Sequence, residues 1–266
     1  MSTPFKFLFF LIPLLLFNNF TDNYLSDRST TNQKNEWISL FNGENLNGWI
    51  VKIKGYPVND NAFNTFRVKN SNLVVSYDQY KTFNNSFGHI FYKSPFSNYK
   101  LRLQYRFIGN QVKGGEDWAK RNSGVMIHSQ SPESMKIDQD FPVSVEVQLL
   151  GGLNDGKERP TGNVCTPGTH INMHNKKITK HCINSSSKTY NGDQWIDLEI
   201  LVLKDSIITH KINGKKVLTY SKPQIGGEYN SLTNKDGEPL VSGYISLQSE
   251  SHPIEFRNIE LMNLDF

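Results

Sequence analysis

The sequence predicts an all-β protein, a sandwich or jelly roll of two antiparallel sheets. Most of the chain consists of short runs in which apolar and polar residues alternate with the period of two that a half-buried strand requires. The pair Asn213-Gly214 lies between two such runs and is the strongest hairpin signal, because both residues tolerate the positive φ angles of a type I′ turn. No stretch has the period of a long amphipathic helix, and closely spaced strands without intervening helices are typical of sandwiches.

The predicted strands follow one another closely, and each is supported by its own pattern. Residues 66–77 contain two short apolar runs separated by the sequence KNSN, which is a hairpin signal. Residues 99–109 alternate leucine and aromatic residues on one face with arginine and glutamine on the other. Residues 113–121 are expected to form a turn. The remaining predicted strands cover residues 123–130, 144–150, 195–203, 207–220, 242–250 and 254–264.

The segment 144–150, SVEVQLL, is the most informative of these strands. Val145, Val147 and Leu149 form an apolar stripe that is typical of a sandwich core. The opposite stripe carries Glu146 and Gln148, an acid and an amide within a very apolar run. Because the second face of such a sheet can face water or a ligand, this strand predicts either a wet surface or the floor of a site.

The N-terminus predicts export. Lys6 precedes the apolar run FLFFLIPLLLF (residues 7–17), and a polar sequence follows. A transmembrane helix needs about 20 apolar residues, so this shorter run indicates a signal peptide over residues 1–20. The Ala-x-Ala cleavage pattern is missing, which leaves an uncleaved anchor as the alternative. We expect a polar linker over residues 21–35, one domain over residues 36–266, a periplasmic or extracellular location, and no membrane span after cleavage.

Composition argues against a nucleic-acid partner. The 266-residue chain contains 37% hydrophobic and 20% charged residues and has a formal net charge of +4, which is ordinary for a globular protein. The charge is spread along the chain, and no basic stripe or motif that reads nucleic acid is present. We therefore expect the partner to be a sugar or another neutral small molecule, whereas the oligomeric state is not predicted.

The two cysteines, Cys165 and Cys182, predict one disulfide. The residues between them have the length of a hairpin with its tip near His174, which would place the cysteines opposite each other at its base. Zinc is the alternative, because His170 and His181 lie in the same stretch as His174. The disulfide is favoured, since thiols of exported proteins oxidise.

Five segments carry a resemblance to a known family: WISLFNGENLNGW (37–49), NSGVMI (122–127), VEVQLL (145–150), INGKKV (212–217) and GYISLQSESHPIEFRNIEL (243–261). In this order they resemble the 3-keto-disaccharide hydrolase domain, from about residue 36 to the C-terminus. The resemblance implies a concanavalin A-like jelly roll. It also implies activity on 3-keto-glycosides, as a hydrolase or as a 3-keto-glucoside 1,2-lyase or hydratase, in exported bacterial systems that degrade sugars.

Three features depart from the common pattern of this family. His128 stands where many members have arginine, and LQSESH stands where they often read LQDHG. The segment between Cys165 and Cys182 is not general to the family.

The implied chemistry sets requirements for the site. A ketone at C3 acidifies the proton at C2, so a base can form an enolate and the group at C1 can then leave; water adds across the new double bond to complete hydrolysis. The reaction needs a base, donors or a cation at the enolate oxygen, and an acid for the leaving oxygen. It does not need the two carboxylates at fixed separation of ordinary glycoside hydrolysis.

Strand alternation nominates residues for these tasks. The predicted strands 123–130, 144–150 and 242–250 each combine an apolar inner stripe with a polar outer stripe. The outer stripes would converge if these strands are neighbours. We expect Glu146 or His128 to be the catalytic base. The predicted substrate-binding residues are Gln148 and Gln248 as hydroxyl or oxyanion donors, Arg121 as the enolate-stabilising cation, Trp118 as a stacking platform, and Glu250 as a further contact.

Each assignment has a structural alternative. Glu146 could be a solvated or ion-paired carboxylate, and His128 could cap the end of its strand. Gln148 and Gln248 could satisfy loop backbone, as buried amides commonly do. Glu250 lies in SESHP, where ordinary turn residues are the default. Tyr105 and His210 fit a packed core better than a site.

Two functional alternatives also stay open. His128 and Glu146 on neighbouring strands could bind a divalent cation that polarises the ketone, although no ligand spacing demands one. The same fold hosts lectins as readily as enzymes, so a glycan-binding module without catalysis is the alternative to an enzyme.

Overall fold

The computed structural model describes Met1, Ser2 and residues 36–264. The described residues from 36 onward belong to one compact unit. The signal peptide predicted for residues 1–20 and the linker predicted for 21–35 lie outside the described residues apart from Met1 and Ser2, and they stay predictions.

Seventeen strands dominate the described chain. The helical elements of the described residues are four 3-10 turns, at Ala62–Asn64, Asp117–Ala119, Pro132–Ser134 and Thr233–Lys235. None of the described helices is long and apolar enough to cross a bilayer. The strands in chain order are β1 (Ile38–Ser39), β2 (Trp49–Ile53), β3 (Phe66–Lys69), β4 (Asn72–Val75), β5 (Gly88–Tyr92), β6 (Asn98–Phe107), β7 (Asn122–Ser129), β8 (Val145–Leu150), β9 (Asn163–Cys165), β10 (Thr169–Met173), β11 (Lys176–Ile178), β12 (Cys182–Ile183), β13 (Ile196–Leu203), β14 (Ile207–Ile212), β15 (Lys215–Ile225), β16 (Tyr244–Ser249) and β17 (Ile254–Asn263).

The strands form two antiparallel sheets. The ten-stranded sheet has the order β11-β10-β15-β14-β13-β6-β17-β4-β3, with β1 paired to β17. The seven-stranded sheet has the order β12-β9-β8-β7-β16-β5-β2. The predicted all-β, concanavalin A-like jelly-roll sandwich is therefore confirmed.

Both predicted hairpin turns are present. Asn70 and Ser71 join β3 to β4 with φ angles of 52° and 57°, and Asn213 and Gly214 join β14 to β15 with φ angles of 47° and 75°. Positive φ at both central residues is the requirement of the type I′ turn, which matches the twist of the flanking strands.

The core lies between the two sheets and is built by the apolar stripes. Val147 of β8 pairs with Val125 of β7, which pairs with Leu247 of β16. All three side chains are fully buried and belong to the main hydrophobic cluster. Because register partners in a sheet share a face, the polar residues that alternate with them lie on the opposite face, which we call the outer face.

The order of the seven-stranded sheet positions the outer-face side chains. Glu146 of β8 has Met126 of β7 on one side and Cys165 of β9 on the other. Gln148 is paired in the same way with Gly124 and Asn163. The polar stripe of SVEVQLL, for which the sequence predicted either a wet surface or the floor of a site, thus lies on an interior strand of this sheet.

Cys165 and Cys182 form the predicted disulfide. They are register partners of β9 and β12, and the hairpin of β10 and β11 lies between them with His174 at its exposed tip. In this structure both sulfurs are bonded to each other, so the zinc alternative is wrong for the oxidised chain.

Removing this disulfide is expected to destabilise the fold. In the chain-entropy model, a cross-link that closes a loop of this length contributes roughly 3 kcal/mol. The double variant Cys165→Ser/Cys182→Ser should lower the free energy of unfolding by about that amount in urea titrations, while His174→Ala at the exposed tip should leave it unchanged. Two thiols that react in the unreduced, denatured wild-type protein would contradict the assignment.

Candidate active site

A cavity of about 290 Å³ opens on the outer face of the seven-stranded sheet. Its floor comes from β7 and β8, one wall from the disulfide, and its other walls from loops that fold over the sheet. The lining residues are Trp118, Asn122, Phe141, Glu146, Gln148, Cys165, Pro167, His181, Cys182, Tyr229 and Glu250. Four of the residues predicted for the site, namely Glu146, Gln148, Glu250 and Trp118, therefore meet in one place.

A larger cavity of about 780 Å³ lies between loops 156–160 and 184–191. None of the predicted site residues lines it. Cavity volume alone therefore does not identify the site. We take the smaller cavity as the candidate active site because four of the predicted site residues line it.

Glu146 lies on the floor of the site and is 7% exposed. Its carboxyl group lies over Gly124 of the neighbouring strand, where a Cβ atom would come within 2.5 Å of Glu146 Oε1. A glycine at this position gives the carboxyl group the space it occupies. Gly124 of the NSG motif thus makes room for the Glu146 carboxyl group because it has no side chain.

Glu146 and Glu250 form a buried pair of carboxyl groups. Burial raises the pKa of Glu146 to about 8, because the charged form loses hydration. Burial also raises the pKa of Glu250 well above its usual value, the negative charge of Glu146 raises it further, and Arg159 opposes the rise. Both carboxyl groups therefore hold a proton more readily than a glutamate in water, as groups that transfer protons in active sites commonly do.

Arg159 supplies the positive charge that acts on Glu250. Its Nη1 donates to the carbonyl oxygens of Arg121 at 2.9 Å and Gly151 at 2.5 Å, and its Nη2 donates to that of Trp118 at 3.4 Å. These contacts tie the loop after β8 to the segment that carries Trp118. Sequence analysis missed Arg159, because a lone arginine in a polar loop carries no periodic signal.

Arg121 does not reach the cavity. Its Nη1 lies 3.2 Å from Asp193 Oδ1, its Nη2 donates to the Gly192 carbonyl, and its guanidinium stacks on Phe107. The expectation that Arg121 faces the substrate is wrong, because its side chain is committed to this loop.

His128 is also absent from the cavity lining. β16 pairs Ser246 with Met126 but Tyr244 with Ser129, so β7 has an extra residue, and His128 has a φ of 48°. Such a bulge ends the strict alternation of side chains. The buried ring instead places Nε2 3.0 Å from the carbonyl oxygen of Lys204, in the turn after β13 of the other sheet. The predicted convergence of His128 with Glu146 is therefore wrong.

The two glutamines have different environments. Gln148 lines the cavity, and its Oε1 accepts a hydrogen bond of 3.0 Å from Asn163 Nδ2, which leaves its Nε2 group to donate. Gln248 is fully buried on the same outer face but does not line the cavity. Neither its Oε1 nor its Nε2 has a hydrogen-bond partner among the described residues.

Aromatic rings form the rim of the cavity. Trp118 is 52% exposed and Tyr229 is 51% exposed. Between them, Phe87 stacks on Trp118 at 6.2 Å and contacts Phe141 at 5.0 Å, and Phe141 contacts Tyr229 edge-on at 5.4 Å. Exposed aromatic faces beside polar groups can stack on sugar rings while the polar groups bind hydroxyls.

Potential metal ligands are limited in the described chain. The one group of three whose ligand atoms lie within 4.8 Å of one another is Cys165, His181 and Cys182, and both sulfurs are in the disulfide. His128 and Glu146 are not brought together, so the pair proposed for a divalent cation does not form.

Among the other residues weighed from the sequence, His210 and Tyr105 are placed as expected, and two residues are not. His210 is fully buried in the core, with Nδ1 2.9 Å from the Gly162 carbonyl oxygen and Nε2 3.0 Å from the Tyr220 hydroxyl. Tyr105 is also a core residue. Glu250 and His252 differ from the ordinary turn residues that SESHP suggested, since they are 3% and 2% exposed.

Comparison with known proteins identifies related sequences and folds. The family described as the 3-keto-alpha-glucoside-1,2-lyase-like domain matches residues 36–262. A search of curated protein sequences returned no match.

Solved structures share the architecture. A candidate glycosyl hydrolase of Parabacteroides distasonis superposes with a TM-score of 0.53 and 18% identity. The alignment covers 86% of this chain and 100% of the other. A second crystal structure with the same description and source gives a TM-score of 0.52 and 19% identity, covering 86% and 94% of the two chains. At this identity the similarity establishes the fold.

Proposed function

Because the chain belongs to the family of 3-keto-alpha-glucoside-1,2-lyase-like domains, we propose that it cleaves or hydrates 3-keto-glycosides. Membership of the family supports a carbohydrate-active enzyme; the reaction and its residues are the proposal. The observation that carries the proposal is the buried pair of Glu146 and Glu250, which line one sugar-sized cavity and have raised pKa values.

In the proposed elimination, the Glu146 carboxylate takes the proton from C2. The electron pair of the C2–H bond forms an enolate whose charge lies on the C3 oxygen. The ketone then re-forms, a C1=C2 double bond forms, and the C1–O bond to the leaving group breaks. Glu250 in its acid form gives its proton to the leaving oxygen.

Hydration reverses the proton transfers and restores both groups. Water adds its oxygen to C1 and gives a proton to the Glu250 carboxylate, while Glu146 returns its proton to C2. Elimination followed by hydration equals hydrolysis of the glycosidic bond. The raised pKa values of both buried carboxyl groups support a role in proton transfer, and we assign Glu146 as the base because its carboxyl group lies on the floor of the cavity.

Neighbouring groups would stabilise the enolate and hold the sugar. The Nε2 group of Gln148, whose Oε1 is held by Asn163, is placed to donate to a substrate oxygen. Donors fixed before the reaction stabilise developing charge without reorganisation, which is often the largest catalytic term. We propose that Arg159 acts on Glu250 through its positive charge, which limits the rise in the pKa of that carboxyl group.

Turnover by the wild-type protein tests the proposal. Purified protein should convert methyl 3-keto-α-glucoside and glycosides with other aglycones, with release of the aglycone followed by NMR. The assay should be run with and without added divalent cations, because a cation that polarises the ketone is not required by the proposed steps. Absence of product under every condition would rule out the enzyme.

A glycan-binding module is the alternative, and turnover discriminates it, because a module binds sugar without converting it; Trp118→Ala tests the role of the indole in either case. In a module, the exposed indole would supply much of the affinity, so Trp118→Ala should weaken sugar binding by about tenfold or more. In the enzyme we propose, Trp118→Ala should raise KM by a similar factor and leave kcat within about twofold, because the indole touches no reacting atom. Trp195→Phe, outside the cavity, is the matched control. Loss of kcat equal to the rise in KM would contradict this role of Trp118.

We also propose that the domain acts outside the cytoplasm. The disulfide of Cys165 and Cys182 supports this location, because such bonds persist in oxidising compartments. Fractionation of cells that express the full chain, with a cytoplasmic marker as control, tests it.

A further inference from the structure

A row of buried polar side chains extends the outer face beyond the cavity. Gln248 of β16 pairs with His89 of β5, and His89 pairs with Lys52 of β2. Register partners point to the same face, so the three side chains lie side by side. Their exposed fractions are 0%, 1% and 2%.

The polar atoms of this row are poorly satisfied. Neither ring nitrogen of His89 and neither amide atom of Gln248 has a hydrogen-bond partner within the described chain. Lys52 Nζ donates to the carbonyl oxygens of Ile53 and Ile137, each at 3.0 Å, although an ammonium group has three donors. Buried polar groups are nearly always hydrogen-bonded, so such a row indicates a place for polar atoms from outside the chain.

The chemistry of the row fits hydroxyl groups. Burial and the charge of Lys52 lower the pKa of His89 to about 3, so the ring is neutral and offers one donor and one acceptor. The Gln248 amide offers both as well, and Lys52 offers a donor. Vicinal hydroxyls of a neutral sugar can each donate and accept, which matches this set.

The row lies next to the candidate active site. The Glu146 carboxyl group lies over Gly124, whose other neighbouring strand, β16, carries Gln248. Phe141 separates the two regions, because it lines the cavity and its ring lies 6.3 Å from that of His89 in an edge-on contact.

We propose that Gln248, His89 and Lys52 form a second subsite, which binds the hydroxyl groups of a sugar leaving group and is closed by Phe141. The inference rests on the proposed function, since it assumes that the ring to be cleaved lies against Glu146. The second subsite implies that a glycoside whose leaving group is a sugar binds at two places, against Glu146 and at the subsite.

Calorimetric titration with two unreactive sugars tests the subsite. Trehalose and methyl α-glucoside both lack the ketone, so they can bind but cannot react. Wild-type protein should bind trehalose at least about tenfold more tightly, because only the disaccharide can reach the second set of hydrogen bonds. His89→Phe should abolish this advantage, whereas Ile90→Val, the neighbouring position on the core face of β5, should retain it.

The outcomes separate the two proposals. Binding of methyl α-glucoside without an advantage for trehalose, or an advantage that survives in His89→Phe, overturns the subsite alone. Failure of both sugars to bind overturns the subsite and counts against the proposed function as well. If His89→Phe does not fold, ¹⁵N spectra of the wild-type histidine rings decide: trehalose should shift the His89 nitrogens and methyl α-glucoside should not, and unchanged nitrogens overturn the subsite.

Discussion

Glu146→Gln is expected to lower kcat/KM for 3-keto-glucosides by roughly 10²–10⁴-fold, the usual contribution of a positioned base. Glutamine keeps the shape of the side chain over Gly124 but cannot accept the C2 proton. Sugar binding should persist, because the amide can still hydrogen-bond. Steady-state kinetics together with calorimetric titration of methyl α-glucoside would separate the loss of chemistry from any loss of binding.

The pH profile and a matched variant sharpen this expectation. Wild-type kcat/KM should rise with pH through an apparent pKa of about 8, the value that burial gives Glu146. Glu199→Gln makes the same change at an ion-paired glutamate on β13 of the other sheet and should leave the rate unchanged. A wild-type rate in Glu146→Gln would disprove the assignment of the base while leaving the enzyme hypothesis intact.

The free energy of unfolding is expected to fall between pH 7 and pH 8. Glu146 is protonated in the folded state up to a pKa of about 8, but in the unfolded state it ionises near its ordinary value of 4.5. In this interval the folded state therefore binds more protons, so stability falls as pH rises. The slope approaches about 1.4 kcal/mol per pH unit for each such group, and Glu250 contributes in the same direction.

Buried histidines have the opposite effect on the free energy of unfolding at lower pH. Burial lowers the pKa of His89 to about 3 and the pKa values of His210 and His252 to about 4. Below their unfolded value of 6.5 the unfolded state binds more protons, so these groups make stability rise with pH there. Stability should thus be greatest near neutral pH.

Urea titrations at pH 7 and pH 8 measure the effect. The wild-type midpoint should fall with pH, and Glu146→Gln should show a shallower fall because one of the two protonated carboxyl groups is gone. An equal slope in wild type and variant would show that Glu146 is already ionised in the folded state.

Much of the fold could be predicted because its signals are local. Alternation along 144–150 and the Asn213-Gly214 turn depend on neighbouring residues only, and the structure confirms both. The disulfide could be predicted for the same reason, since the segment between Cys165 and Cys182 has the length of a hairpin.

The site was less predictable because its geometry depends on irregular and distant features. A bulge in β7 directs the His128 side chain towards the other sheet, and a bulge cannot be predicted from the alternation of residues. Arg159, whose charge acts on Glu250, comes from a long loop, and Arg121 is held by Asp193 in another loop. Lys52 and His89 lie on β2 and β5, which lack the clean alternation that marked the other strands.

Exchange of the C2 proton tests the central claim most directly. Methyl 3-keto-α-glucoside should be incubated in deuterated water with wild-type protein, Glu146→Gln or Glu199→Gln, and deuterium at C2 followed by NMR and mass spectrometry. If Glu146 removes the C2 proton, wild type and Glu199→Gln should place deuterium at C2 faster than the uncatalysed background, and Glu146→Gln should not. A hydrolysed product that keeps protium at C2 after turnover by the wild type, or undiminished exchange in Glu146→Gln, would contradict the account.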